Sequence, residues 1–419
     1  MEETAKKETE IELTSGQQKA VDMVGELAAS KQPTYGILCG YAGTGKTTLL
    51  KQIARQFGDI VVVTPTGKAA VRVGQATNLH ASTIHRWLYK VVEDRDTGAV
   101  RWVARQPLEL ARPASGLLVV DEASMMTDTV WDDLWQVCQA IDVRILLVGD
   151  PFQLPPVKPR DKEFSALALP TPHKTDLTEV VRQALDNPII RASMLIRKSS
   201  ADALDALDLV PTIRESALID RFLEMPPASR ALLAWTNRTR QRLNGEVRAR
   251  LGMKPDVLGA GEPLLVTVNN YNLDRYNGEV VSFDGWVIEP KEQEAVKDFY
   301  SGAAAMVSFG VGTVEGEVVM LSPEEVLAKV PPELSARAIT KSARWYARGV
   351  MKYQKGTEPS HLNADLGYCL TAHKAQGSEY DSVVVVVEPG RNLQSYEGRR
   401  WWYTAITRSR SDVSLCFVD

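Results

Sequence analysis

Residues 40–47 (GYAGTGKT) have the spacing of a loop that binds phosphate groups. The segment follows a strand pattern at 35–40 and opens a helical pattern predicted from Lys46 to about Phe57. Backbone N–H groups and the positive end of a helix attract phosphate oxygens. We therefore predict that Lys46 contacts the β- and γ-phosphates and that Thr47 holds Mg²⁺. A chance glycine-rich turn would not need this flanking strand and helix.

Two carboxylates, Asp121 and Glu122, end a second strand pattern, GLLVVD at 116–121. A carboxylate at the carboxyl end of a neighbouring strand can reach Mg²⁺ beside this phosphate-binding loop, or P-loop. We predict that Asp121 orients the metal through its water shell, and that Glu122 positions or deprotonates the attacking water. Taken alone, the pair could simply cap a helix. Together with the phosphate loop, it predicts nucleoside triphosphate hydrolysis.

Two arginines could neutralise charge in the transition state: Arg182 in LTEVVRQ and Arg408 in YTAITR. An arginine supplied by another domain would link hydrolysis to domain closure. Most arginines make surface ion pairs instead, and sequence position does not decide between these roles.

Strand patterns alternate with helical patterns at 35–150, and again at 230–250 and 367–418. This alternation predicts an α/β fold with parallel sheets and right-handed crossovers. Asp96-Thr97-Gly98 has the composition of a hairpin turn, so a small insertion is predicted in the first region. Residues 262–360 contain short strand patterns typical of a small barrel. A basic, aromatic stretch, SARWYARGVMKYQK, follows them.

The composition is that of a globular protein of 419 residues with a net charge of −4. Because nucleic-acid binders are often basic overall, a phosphate-tracking surface must be a local groove. The four cysteines are far apart in sequence, which predicts neither a metal site nor a disulfide framework and suits a reducing cytoplasm. The first twelve residues do not resemble a signal peptide, and no stretch has the length of a membrane span.

The chain resembles superfamily 1 helicases, and within them the RecD/Dda-like group. The resemblance runs from Leu13 to nearly the C-terminus, and its motifs follow the family's order. These motifs are LTSGQ (13–17), GYAGTGKTT (40–48), TPTGKAA (64–70), STIHRWL (82–88), VVDEASM (119–125), VGDPFQLPPV (148–157), LTEVVRQ (177–183), LTAHKAQGSEYDSV (370–383) and YTAITRSR (403–410).

The resemblance implies two RecA-like domains with ATP and Mg²⁺ in the cleft between them. Gln17 would recognise adenine, Gln153 would link the γ-phosphate to the DNA site, and Arg182 and Arg408 would be arginine fingers. The residues implied at the nucleotide are Gln17, Gly43, Thr44, Gly45, Lys46, Thr47, Thr48 and Gly377. Those implied at DNA are Pro65, Thr66, Thr83, His85, Thr236, Asn237, Thr371 and His373. The group moves 5′→3′, and this polarity rests on the resemblance alone.

The predicted first RecA-like domain comprises residues 1–82 and 113–170, with a hairpin insertion at 83–112. The predicted second RecA-like domain comprises residues 171–261 and 361–419. An SH3-like β-barrel with the basic-aromatic helix is predicted at 262–360, where the resemblance is one of position rather than of motif.

Several of these residues also have ordinary structural interpretations. Thr66 and Thr236 are natural helix caps, and a lone histidine such as His85 or His373 is more often structural than a ligand. Trp102, on the second arm of the hairpin, either separates strands at a fork or packs against its own domain. The tryptophans at 401–402 are predicted to be mostly core, whereas Trp345 and Tyr346 could be a strand-binding face or a solvated helix.

The predicted activity is ATP-dependent, 5′→3′ DNA unwinding by a cytoplasmic monomer in a bacterium or a phage-infected cell. Its predicted partners are single-stranded DNA and forked duplex, with single-strand-binding or replication proteins as further candidates, and no membrane. Two alternatives remain: a translocase that displaces proteins without strong unwinding, and a regulatory ATPase subunit of a recombination complex. A nuclease is disfavoured, because the sequence shows no separate carboxylate cluster for two metals.

Overall fold

The computed structural model describes residues 13–93, 100–110, 112–156, 164–270, 272–291, 293–298, 300–354, 356–390 and 393–418. The hairpin turn predicted at Asp96-Thr97-Gly98 lies outside these ranges, as do the side chains of Arg182 and Trp102. The chain forms two compact units. One comprises Met1–Pro65 and Val73–Ile190, and the other Thr66–Arg72 and Arg191–Asp419.

The first half of the chain alternates strands and helices. In order, these are α1 (Ser15–Ala28), β1 (Tyr35–Gly40), α2 (Lys46–Phe57), β2 (Val61–Thr64), α3 (Gly67–Thr77), β3 (Ala81–Thr83), α4 (Ile84–Leu88), β4 (Tyr89–Glu93), β5 (Val100–Ala104), β6 (Leu117–Val120), α5 (Asp128–Ala140), β7 (Arg144–Gly149), β8 (Lys174–Leu177), α6 (Arg182–Leu185) and α7 (Pro188–Lys198).

A parallel six-stranded sheet, in the order β3-β2-β6-β7-β1-β8, forms the first unit. Successive residues of β1 enter different cores, with Ile37 on one face of the sheet and Leu38 on the other. This burial on both faces explains the uninterrupted apolar runs in the sequence. The parallel α/β fold predicted from the sequence is confirmed.

Two details of this sheet differ from the sequence-based expectation. β6, which precedes Asp121, does not neighbour the P-loop strand, because β7 lies between β6 and β1. The sheet also continues past residue 170, since β8 pairs with β1. β8 has the sequence KTDL and was missed because it is short and mostly polar. Separately, β4 and β5 pair antiparallel, with Tyr89 opposite Ala104.

The second half of the chain contains the remaining elements. These are α8 (Ser200–Asp205), β9 (Thr212–Ile213), α9 (Leu218–Glu224), β10 (Arg230–Ala234), α10 (Asn237–Arg250), β11 (Pro263–Val266), β12 (Val280–Ile288), β13 (Gln293–Lys297), β14 (Ala304–Ser308), β15 (Gly310–Val314), β16 (Glu317–Leu321), α11 (Pro323–Val326), α12 (Ala336–Gly349), β17 (Ala364–Leu366), β18 (Cys369–Thr371), β19 (Tyr380–Val387), α13 (Tyr396–Ile406) and β20 (Ser409–Phe417).

The second unit combines a parallel sheet with an antiparallel one. The parallel sheet has the order β18-β10-β19-β20-β9, and the antiparallel sheet the order β16-β15-β12-β11-β17. One hydrophobic core joins them, including Leu232 of the first and Phe283 of the second. β17 lies beyond the predicted boundary at 360, yet it pairs with β11. An isolated bridge pairs Met320 of the edge strand β16 with His361, which lies shortly before the other edge strand, β17.

A separate pair of strands, β13 and β14, packs with α12 around a second core that includes Val307 and Tyr346. Tyr346 is only 4% exposed, so it lies neither on a strand-binding face nor on a solvated face of the helix, the two alternatives left open by the sequence. Trp401 and Trp402 are buried on α13, as predicted. Among the described residues, no helix combines the length and apolarity needed to span a bilayer.

Candidate nucleotide and nucleic-acid sites

The phosphate-binding loop connects β1 to α2, and its backbone geometry requires glycine. Gly43 and Gly45 both have a φ of 79°, which favours a residue without a Cβ. A Cβ at Gly40 would lie 2.7 Å from the Thr44 hydroxyl. The Lys46 ammonium lies inside the loop and donates to the carbonyls of Gly40, at 2.7 Å, and Tyr41, at 3.1 Å. This cradle fits a polyphosphate, because its lysine and N–H groups converge where α2 begins.

Gln17 lies against this loop. Its amide nitrogen donates to the Thr44 carbonyl at 3.1 Å, and its amide oxygen accepts from the Thr14 backbone at 3.0 Å. Thr14 in turn caps α1, completing a reciprocal capping box. One amide hydrogen of Gln17 is not used in these bonds. Adenine recognition by Gln17 therefore remains a prediction, to which the structure adds a bond between Gln17 and the loop.

The carboxylates Asp121 and Glu122 lie at the carboxyl end of β6, and each is only 3% exposed. Glu122 has a left-handed φ of 56°, which is strained for a residue with a side chain. The end of β7 lies close by, because a Cβ at Gly149 would be 3.1 Å from the Ser124 nitrogen. Gln153, in the turn after β7, is 5% exposed. The segments that follow β6 and β7 are therefore packed together at the carboxyl ends of these two neighbouring strands.

No group of three or more His, Cys, Asp or Glu side chains that could hold a metal occurs in the described part of the chain. Mg²⁺ in nucleotide sites is typically held by one or two protein groups together with phosphate oxygens. Thr47, in the first turn of α2, and Asp121, after β6, each carry oxygen atoms of the kind that Mg²⁺ prefers. The residues present therefore fit a Mg²⁺ ion that binds together with the nucleotide.

The predicted DNA contacts of the first half follow two adjacent strands, β2 and β3. Thr64 and Thr83 pair in the register of these strands, so Pro65 and His85 follow neighbouring strand ends. The Thr83 hydroxyl caps α4 by accepting from the Arg86 nitrogen at 3.1 Å. Burial lowers the pKa of His85, which favours the neutral ring. Phosphate binding by His85 would therefore rely on a neutral N–H donor.

The second half repeats this arrangement at β10 and β18. Ala234 pairs with Thr371, which places Thr236-Asn237 beside the segment that contains His373. The Thr236 hydroxyl oxygen accepts from the Thr239 nitrogen at 3.1 Å and thereby caps α10. Burial also lowers the pKa of His373. In both halves, the predicted DNA contacts thus follow the two strands at one edge of a parallel sheet.

Sequence reasoning missed Glu388, which anchors the turn before α10. One of its carboxylate oxygens accepts from the backbone nitrogens of Trp235, at 2.8 Å, and Thr236, at 2.9 Å. The other accepts from the Thr236 hydroxyl at 2.8 Å. Glu388 directly follows an apolar strand, as Asp121 does, so the same sequence signal could have found it.

Gly377 and Arg408 lie in the second unit. Gly377 has a φ of 75°, and a Cβ there would be 2.8 Å from the Thr66 hydroxyl. The atom nearest to that Cβ position thus belongs to a predicted DNA contact, and the role of Gly377 at the nucleotide stays a prediction. Arg408 is 4% exposed and donates to the carbonyls of Thr404, at 3.0 Å, and Ser378, at 3.3 Å.

Comparison with known families gives two matches. Residues 12–217 match an AAA domain, and residues 366–416 match a UvrD-like helicase C-terminal domain. The first match contains the P-loop and Asp121-Glu122, and the second contains the segments around Thr371 and Arg408.

Similar proteins agree with these matches. The ATP-dependent RecD2 DNA helicase of Deinococcus radiodurans is 30% identical over 395 residues, covering 89% of this chain and 46% of that protein. The RecBCD enzyme subunit RecD of Mycolicibacterium smegmatis is 24% identical, covering 90% of this chain and 67% of that protein. A crystal structure of a Bacteroides Pif1 bound to single-stranded DNA has a TM-score of 0.55 at 18% identity, covering 97% of this chain and 92% of that one.

The parallel sheets, the P-loop after β1 and the carboxylates after β6 are those of a P-loop protein. The chain thus resembles superfamily 1 helicases of the RecD group over most of its length, and it shares the fold of the Pif1 structure. It spans about half the length of the Deinococcus relative, or 46%.

Proposed function

We propose that the chain is an ATP-dependent DNA helicase that moves 5′→3′ along single-stranded DNA and unwinds duplex. The main support is that residues suited to phosphate chemistry and residues suited to a nucleic-acid backbone follow strand ends of the same sheet. The P-loop and Asp121-Glu122 follow β1 and β6, while Pro65 and Thr83 follow or end β2 and β3.

In this proposal, ATP binds at the P-loop and supplies the reactive phosphate. Lys46 contacts the phosphates, Thr47 and Asp121 hold Mg²⁺, and Glu122 accepts the proton of the attacking water. Gln153 links the presence of the γ-phosphate to the DNA site, because the turn that contains it packs beside Asp121-Glu122. Arg182 and Arg408 are the proposed fingers.

The proposed domain division adds two insertions to the RecA-like domains. The antiparallel pair β4–β5 supports a hairpin insertion at 83–112. The five-stranded antiparallel sheet supports an SH3-like insertion at 262–360, and its strand β17 lies just beyond that proposed boundary. We further propose that the protein acts as a cytoplasmic monomer on single-stranded and forked DNA, with single-strand-binding or replication proteins as partners.

ATP turnover should rise when single-stranded DNA is added to the purified chain. A forked duplex with a 5′ tail should be unwound, and a matched duplex with only a 3′ tail should not. DNA-stimulated turnover without unwinding would identify a translocase. If DNA does not change ATP turnover, the alternative of a regulatory ATPase subunit is favoured, in line with the likeness to RecD of the RecBCD enzyme.

DNA affinity should fall steeply with salt and vary little with base sequence. The proposed contacts are hydroxyls, N–H groups and ring faces, which bind phosphates and bases without reading sequence. Titrating labelled oligonucleotides of equal length and different sequence over a range of salt concentrations checks this. A strong preference for one sequence at fixed salt would contradict the proposal.

Trp102→Ala should cripple unwinding while leaving DNA-stimulated ATPase and single-strand translocation nearly intact. Its backbone lies opposite Val91 on the second arm of the hairpin, where a projecting indole could stack on the last base pair. Forked-duplex unwinding measured alongside ATPase tests this. If the variant instead loses thermal stability and all activities together, Trp102 packs the hairpin against its own domain. A stable variant that unwinds normally would exclude the strand-separating role.

A further inference from the structure

Helix α12 carries its cations on one face. Arg337, Lys341, Arg344 and Arg348 recur at intervals of three or four residues, which aligns them along the helix. All four are exposed, and residues 336–349 include no acidic side chain. The opposite face, including Ile339 and Tyr346, is buried in the core shared with β13 and β14.

Trp345 lies beside this row of cations and is 64% exposed. Other tryptophans whose side chains are described are buried or half-buried. Lys341 precedes Trp345 by four residues and Arg348 follows it by three, so both lie next to the indole on the helix surface. A single exposed indole is ordinary by itself, so its position among the cations is what points to a ligand.

Two of the cations have no described ion pair. Arg348 is bonded to Glu358, and Arg344 has contacts of its own. Within the described residues, no ion pair involves Arg337 or Lys341. They are separated by about 6 Å along the helix axis, so each can meet a different phosphate of an extended strand. This local positive face contrasts with the chain's net charge of −4.

We infer that this face of α12 is an additional binding site for single-stranded nucleic acid. Arg337 and Lys341 contact successive phosphates, and Trp345 stacks on a base. The inference rests on the proposed function and extends it to the insertion that follows α10. Cations beside an indole also occur at protein interfaces, so the choice of nucleic acid rests on the proposed function, and the preference for bases tested below separates the two partners.

The test compares two variants of the full chain with matched controls. Arg337→Ala/Lys341→Ala should flatten the dependence of log affinity on log salt by about 1.4 for an oligothymidylate, since each phosphate contact contributes about 0.7. The control Lys254→Ala/Lys291→Ala removes two exposed lysines outside α12 and should leave the slope unchanged. Thermal unfolding checks that each variant folds.

Trp345→Ala should weaken oligothymidylate binding roughly five- to hundredfold, the range for loss of one stacked base. It should weaken binding of an abasic oligonucleotide of equal length much less. Tyr300→Ala is the control, because Tyr300 is 87% exposed in the same region but lies near Asp298.

The site would be overturned if the folded variants kept the wild-type salt dependence of affinity and the wild-type preference for an oligonucleotide with bases. In that case, DNA-stimulated ATPase of the wild-type chain would still support the proposed function. If only the cation variant has an effect, and it weakens heparin binding equally, the face is a general anion surface and the inference is wrong. A wild-type chain that does not bind oligothymidylate overturns both the site and the proposed function.

Discussion

Glu122→Gln should reduce ATP hydrolysis by roughly a hundred- to ten-thousandfold, the usual contribution of a general base. The amide has nearly the same shape as the carboxylate, so the left-handed turn after β6 should be retained. ATP affinity should change little, because the proposed phosphate contacts come from Lys46 and the loop backbone. Steady-state turnover, measured together with binding of a fluorescent ATP analogue, separates the two quantities.

Two further variants define what this result means. Lys46→Ala should abolish turnover by removing a phosphate contact and should weaken nucleotide binding as well. Glu26→Gln, on the exposed face of α1, is a matched control that should behave as wild type. Normal hydrolysis by Glu122→Gln would show that another group handles the water.

Arg408→Ala should lower kcat by roughly a thousandfold or more, as expected for an arginine finger, with a much smaller change in the ATP dissociation constant. A guanidinium has five N–H donors. In the described structure, Arg408 donates to Thr404, Ser378 and the Thr407 hydroxyl, which leaves donors for a phosphate oxygen. These bonds also fix the direction of the side chain. DNA-stimulated kcat and nucleotide affinity are the measurements that decide.

Because Arg408 is buried, its removal could also destabilise the second unit. Arg408→Lys therefore serves as a second variant, since it keeps the charge but loses the planar fork. Arg410→Ala is the matched control, because Arg410 is largely exposed and lies beside Glu379 and Asp381. Equal losses in kcat and in ATP affinity would make Arg408 a binding residue only.

The parts of the fold that could be predicted are those with strong local signals. The runs YGILCG and RILLVG are apolar on both sides because β1 and β7 lie inside a sheet covered on two faces. The phosphate-binding loop could be predicted from its glycine spacing, and Gly43 and Gly45 have positive φ values that disfavour residues with a side chain. Helix starts were also predictable, as at Thr236, where a hydroxyl caps the first turn.

The remaining features depend on tertiary contacts. β8 is polar and short, so only its pairing with β1 makes it a strand. The order of β6 and β7 in the sheet has no local sequence signal. Tyr346 and Trp345 are adjacent in sequence, yet helix geometry buries one and exposes the other. Bonds from Gln17 to the P-loop and from Glu388 to Thr236 join residues 27 and 152 positions apart, which a local pattern cannot reveal.

The four buried cysteines allow local unfolding of each unit to be measured by alkylation. Cys39 and Cys138 lie in the first unit, while Cys369 and Cys416 lie in the second. Burial raises the pKa of Cys39 and Cys138 to about 12, and that of Cys416 to about 11, so the folded thiols should react slowly with alkylating reagents. Alkylation at each thiol then reports local opening of its own unit. Pulse labelling followed by peptide mass spectrometry could thus compare the local stability of the two units, with and without nucleotide or DNA, without any added dye or mutation.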